Sequence, residues 1–139
     1  MLDANTGVAR LLERPDMLEG VQQRTQGRHS APTLAFRIDD ALAWFTDTAY
    51  EYDSVTFASG RSLVAHEAWF ESASPRNPEI HSSAADAGRV AQGAEAERLL
   101  LIHLPPFQAS LDGLLRDAHD QFEHAALAHD YTEISMATT

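Results

Sequence analysis

At 139 residues the chain has the length of one domain and can bury a core of its own. Its 44% hydrophobic and 22% charged content fits a globular protein and excludes wholesale disorder. Acidic residues outnumber basic ones 21 to 10, giving a net charge of −11 that repels nucleic acid unless a basic patch overrides it. Cysteine is absent, so a metal site would have to rest on imidazole and carboxylate. No basic segment leads into an apolar one at the N-terminus and no apolar run reaches membrane-spanning length, so the expectation is a cytoplasmic protein without a membrane segment.

Residues 1–28 read as a mixed, irregular lead-in with a helix around "GVARLLE" that Pro15 interrupts. "TLAFRI" (33–38) and "LAWFTD" (42–47) read as two strands around an Asp39-Asp40 turn. "EYDSVTFASG" suits a short helix ending at Gly60, and "RSLVAHEAWF" (61–70) returns to strand character. A polar loop with Pro75 and Pro78 follows. Ser82 or Ser83 then caps a helix over "AADAGRVAQGA", with Asp86 in its first turn, where the helix dipole favours an anion. "RLLLIHL" is the clearest strand, and Pro105-Pro106 end it. Leu111, Leu114, Leu115, Ala118 and Phe122 share one face of a helix, and "YTEISM" reads as a last short strand. The alternation of strand and helix implies an α/β layered fold.

Three apolar runs finish in chemistry. "ALAWF" leads to Asp47, "SLVA" to His66 and Glu67, and "LLLI" to His103, while His29 and His81 stand just before other elements. In open α/β sheets ligands gather beyond the carboxyl ends of strands. Imidazoles and carboxylates collected there suit zinc, manganese or iron. His119, His124 and His129 recur every fifth residue, which scatters them around a helix as surface groups.

The series "RHSAPTLAFRI", "FTDT", "AHEAWF", "HSSAADAG" and "LLLIHLPP" resembles, in order and spacing, the C-terminal half of metallo-β-lactamase-fold hydrolases of the ribonuclease Z-like phosphodiesterase branch. The resemblance runs from His29 onward, so it implies a domain part over 29–139 preceded by the 1–28 lead-in. It implies half of an αββα sandwich, one mixed sheet with helices on one face. By position, His29 and His103 match metal-ligating histidines and Asp47 matches the carboxylate that bridges two ions. Thr46 stands where the family has glycine. His81 matches the proton donor to the leaving group, and His66-Glu67 match a pair that supports the ligands. Two Zn2+ per complete site, or Mn2+ or Fe, are the implied cofactors. Their charge makes water nucleophilic near neutral pH and steadies phosphoryl oxygens.

The family's His-x-His-x-Asp-His motif is absent, and no histidine precedes His29. The resemblance therefore implies a metal-dependent hydrolase fragment that a missing N-terminal half or a second chain completes, acting on a phosphodiester or other small ester-like molecule. Only 17 residues separate His29 from Asp47, where ribonuclease Z carries its tRNA-binding arm. With the acidic charge, this argues against tRNA as substrate. An alternative reading is a non-catalytic module that docks or homodimerises through the uncovered sheet face. Leaving several hundred Å2 of apolar sheet in water would forfeit on the order of 10 kcal/mol, so the chain either pairs with something or is marginally stable.

Overall fold

The computed structural model describes residues 20–26, 29–108 and 110–136. Six strands form one mixed sheet in chain order: β1 (Val21–Gln26), β2 (Thr33–Ile38), β3 (Leu42–Phe45), β4 (Leu63–Glu67), β5 (Arg98–Ile102) and β6 (Ala125–Leu127). The first three pair antiparallel, and β3 through β6 run parallel. Three helices occupy the crossovers: α1 (Tyr52–Ala58), α2 (Ala84–Gly93) and α3 (Asp112–His119).

Local chemistry accounts for most of these boundaries. Asp39 takes φ 46°, and the Ala41 N–H donates to the Ile38 carbonyl at 3.0 Å, closing the β2–β3 hairpin where two aspartates replace apolar residues. Ser83 caps α2 reciprocally: its hydroxyl accepts from the Asp86 N–H at 3.0 Å, and the Asp86 carboxylate accepts from the Ser83 N–H at 2.9 Å. Two orphan donors of the first turn are thereby satisfied.

One face of the sheet carries Ala43, Phe45, Val64, Leu99 and Leu101, which bury themselves against Ala58 of α1, Val90 and Ala91 of α2, and Leu114 and Ala118 of α3. The helix layer sits close because small residues line it. A Cβ on Gly88 of α2 would stand 2.8 Å from Gln121 Cβ and 2.9 Å from the Ala118 carbonyl oxygen. Side chains alternate along each strand, so Phe36, Trp44, Ala65 and Leu100 share a row on the opposite face. There Trp44 and Ile38 are 38% and 37% exposed, and Leu34, Phe36, Leu42 and Leu100 are only half-buried. The expected architecture, a mixed sheet with helices on one side, is the one observed.

Three local expectations differ. Residues 131–136 form no strand; the parallel edge position beside β5 goes instead to Ala125–Leu127, fixed by the Leu99 N–H on the His124 carbonyl and the Ala128 N–H on the Leu101 carbonyl, both 2.9 Å. Consequently α3 stops at His119, and His124 and His129 lie outside any helix, though all three histidines are exposed as expected. Within the 1–28 lead-in, Val21–Gln26 join the sheet as β1, a polar sequence made strand by six paired residues of β2. The helix expected around "GVARLLE" falls outside the described residues.

Candidate metal centre

Strand direction decides what meets at the rim. β3, β4 and β5 are parallel, so their carboxyl ends share one edge of the sheet and bring Asp47, Glu67 and His103 there. β2 runs the other way, so its start lies at that same edge and carries His29 in with it. His81 arrives from the loop ahead of α2. That loop is pinned to the chain beyond β4 by the Trp69 N–H on the Ser82 carbonyl at 2.9 Å and the Ala84 N–H on the Phe70 carbonyl at 3.0 Å.

The side chains converge. His103 Nε2 lies 3.2 Å and His29 Nε2 3.8 Å from the same atom, Asp47 Oδ1, so both imidazoles face one carboxylate oxygen. Donor atoms of His29, Asp47 and His81 fall within 4.8 Å of one another, and so do those of Glu67, His81 and His103. Three imidazoles and two carboxylates in two overlapping triads fit a borderline divalent cation such as Zn2+, and Mn2+ or Fe2+ also accept such donors. Asp47 and His103 both sit in left-handed backbone, at φ 51° and 49°. Aspartate tolerates that region, whereas histidine there is uncommon, and such conformations concentrate at functional sites.

Glu67 anchors the floor. Fully buried, its carboxylate accepts the Thr48 N–H at 2.5 Å, the Ser82 N–H at 3.3 Å and approaches His81 Nδ1 at 3.0 Å. Burial pushes its pKa up to about 8, against the pull of the two backbone donors. Burial, reinforced by the neighbouring His103 and His29, lowers His81. The Glu67–His81 pair therefore retains a proton near neutrality in the absence of a cation.

Not every expected residue reaches the rim. His66 follows Ala65 and precedes Glu67 in one strand, so its side chain must leave by the other face. It lies in the helix-side core against the Phe45 ring, centroids 5.3 Å apart, with Nδ1 on the Glu67 backbone oxygen at 2.9 Å and a buried Nε2 that has no hydrogen-bond partner. Burial lowers its pKa. The His66-Glu67 pair is thus split: Glu67 supports the site and His66 packs behind it.

Trp69 was not anticipated. Its ring stacks on His81 at 5.0 Å and lies against His103 at 5.1 Å, forming an aromatic wall that fixes both imidazoles. Ser82, the alternative to Ser83 as helix cap in the sequence reading, is not the cap, and it acts at the site together with Thr48. Thr48 and Ser82 donate backbone N–H groups to Glu67, and the Ser82 hydroxyl donates to the Thr48 carbonyl at 2.7 Å, tying the two loops together. Their flanking Asp47 and His81 carried the only available signal.

A mixed sheet with helices on one face and a histidine–carboxylate cluster at the parallel strand ends is the metallo-β-lactamase arrangement, and the solved structures agree. The chain matches the metallo-β-lactamase-fold protein YhfI of Bacillus subtilis with a TM-score of 0.70 and 26% identity, over 77% of this chain and 44% of that one. It matches the short form of human tRNase Z at 0.63 and 20%, over 85% and 43%. Within that fold the chain is ribonuclease Z-like. It is 34% identical over 97 residues to ribonuclease Z of Acaryochloris marina, covering 65% of this chain and 31% of the relative. It is 29% identical over 116 residues to the uncharacterized protein Rv1339 of Mycobacterium tuberculosis, covering 78% and 42%. No protein-family model matches. The chain spans about a third of the length of the ribonuclease Z relatives it matches. Their names leave the expectation against tRNA without support.

Proposed function

We propose that this chain supplies part of a metal-dependent hydrolase centre for a phosphodiester or similar small ester, completed by a segment bearing the His-x-His-x-Asp-His ligands. The observation that carries this reading is the convergence of His29, Asp47, Glu67, His81 and His103, from five separate segments, on one rim. Bound divalent cations supply the Lewis acidity that activates water and steadies phosphoryl oxygens. Asp47 offers one oxygen to both sides of the centre, and His29 and His103 flank it. Glu67 holds His81 at Nδ1, which fixes the ring and would stabilise an imidazolium form. His81 then delivers a proton to the departing oxygen.

The test is complementation. The full chain should titrate with Zn2+ or Mn2+ weakly and leave bis(p-nitrophenyl) phosphate intact. Addition of an N-terminal half carrying the histidine motif should yield tight metal binding and EDTA-sensitive hydrolysis. A complemented protein without metal by elemental analysis would overturn the reading.

A second reading, a docking or dimerisation module without catalysis, draws on the exposed Trp44 and Ile38 of the uncovered sheet face. It predicts a dimer in sedimentation whose stability ignores EDTA.

A further inference from the structure

His81 stands at the junction of everything that meets at the rim. Its Nδ1 lies 3.0 Å from Glu67 Oε2. Its ring meets the Trp69 ring stacked at 5.0 Å, the His103 ring stacked at 5.7 Å and the His29 ring edge-on at 5.4 Å. The side chain is buried, so these contacts hold the ring in one orientation. Of the two triads, His29–Asp47–His81 and Glu67–His81–His103, it is the shared histidine.

A ligating imidazole is ordinarily backed by a carboxylate, carbonyl or water that takes the proton of its other nitrogen, which fixes the tautomer and raises the basicity of the ligating atom. Among the described residues, Glu67 backs His81 in this way at Nδ1, whereas His29 and His103 meet their carboxylate, Asp47, through Nε2. With the proton of the Glu67–His81 pair on Nδ1, the lone pair of His81 is on Nε2. The oxygens of Glu67 are already engaged, because they also accept the Thr48 and Ser82 N–H groups. His29–Asp47–His81 is therefore the triad with donors to give. Two imidazoles and a carboxylate make a three-ligand set that zinc accepts with a fourth position open.

We propose that the chain without its complement holds one cation at His29, Asp47 and His81, with His81 a ligand through Nε2. The group assigned to proton delivery is then occupied until the segment bearing the histidine motif brings ligands of its own. This set differs from the one the family resemblance implies, in which His81 is not a ligand. The second role of His81 rests on the hydrolase reading; its role as a ligand does not.

The full chain, stripped of metal with EDTA and exchanged into plain buffer, is titrated with Zn2+ by calorimetry and with Co2+ by visible absorption, whose intensity reports coordination number. The expected result is one ion per chain, with the strong Co2+ bands of four-coordination. His81→Phe keeps a ring for Trp69 to stack on but removes the donor, and saturable Zn2+ binding should be lost. Glu67→Gln should weaken binding about tenfold, the size of effect for a group behind a ligand, and it carries the test if His81→Phe fails to fold. His103→Ala, outside the triad, should still bind one ion; loss there as well as in His81→Phe adds His103 to the set and leaves His81 a ligand. Unfolding midpoints in EDTA show which variants keep the fold. A parent chain that binds no ion or two, or binding unchanged in His81→Phe or Glu67→Gln, would overturn the inference. Addition of the N-terminal half to His81→Phe should restore tight metal binding without hydrolysis of bis(p-nitrophenyl) phosphate. A complemented parent chain that binds metal and leaves that ester intact sinks the hydrolase reading alone, and binding by the lone chain that ignores His81 sinks this inference alone.

Discussion

Glu67 makes the metal-free protein less stable as pH rises through neutrality, and the size of the effect follows from its surroundings. In the folded chain its carboxyl titrates at about 8 because burial penalises the charge, whereas the unfolded side chain titrates at 4.5. Between those values the native state binds one more proton than the unfolded state. Stability then falls as pH rises, with a limiting slope of about 1.4 kcal/mol per pH unit. His66 and His81 are shifted the other way, downward from 6.5, so their contribution is lost as pH falls below 6.5. Between pH 6.5 and 8 the unfolded imidazoles lose their remaining protons and oppose the Glu67 slope, so the Glu67 contribution is read as the difference between the parent chain and a Glu67→Gln variant. Integrating over that window, with the slope halving near pH 8, gives a loss of roughly 1.5 kcal/mol. Urea unfolding in EDTA at three pH values measures it. Glu67→Gln keeps the shape and an oxygen for the Thr48 N–H but carries no titratable proton, so its stability should be flatter across the window by that amount. A parent chain and a Glu67→Gln variant with parallel pH profiles would refute the argument.

Other expectations concern packing and the rim. Leu101→Ala, at a fully buried position between the sheet and the helices, should lower unfolding free energy by about 2–5 kcal/mol in urea. Gly88→Ala should destabilise by about 1–3 kcal/mol in spite of alanine's higher helix propensity, because the new methyl meets the Ala118 carbonyl oxygen, a backbone atom that cannot swing aside. Asp47→Asn keeps a side chain that tolerates φ 51° but removes the charge shared by His29 and His103; calorimetric Zn2+ affinity should drop at least about tenfold while the unfolding midpoint stays nearly fixed.

The sequence by itself determined what is local. The β2–β3 turn follows from two aspartates between apolar runs, the start of α2 from Ser83 and Asp86, and the end of β5 from His103 and the Pro105-Pro106 pair beyond Leu104. These depend on neighbours in the chain, so residue type and spacing carry them. That element boundaries bear His29, Asp47, Glu67, His81 and His103 was legible for the same reason. Tertiary structure decided the rest. β6 is three residues long, too short for any periodicity, and exists because β5 offers it an edge. Alternation requires His66 and Glu67 to face oppositely, but only the placement of the helices decides which one meets the rim. Trp69 became the wall of the centre because a pairing between distant loops sets it between His81 and His103, a contact that no spacing along the chain encodes.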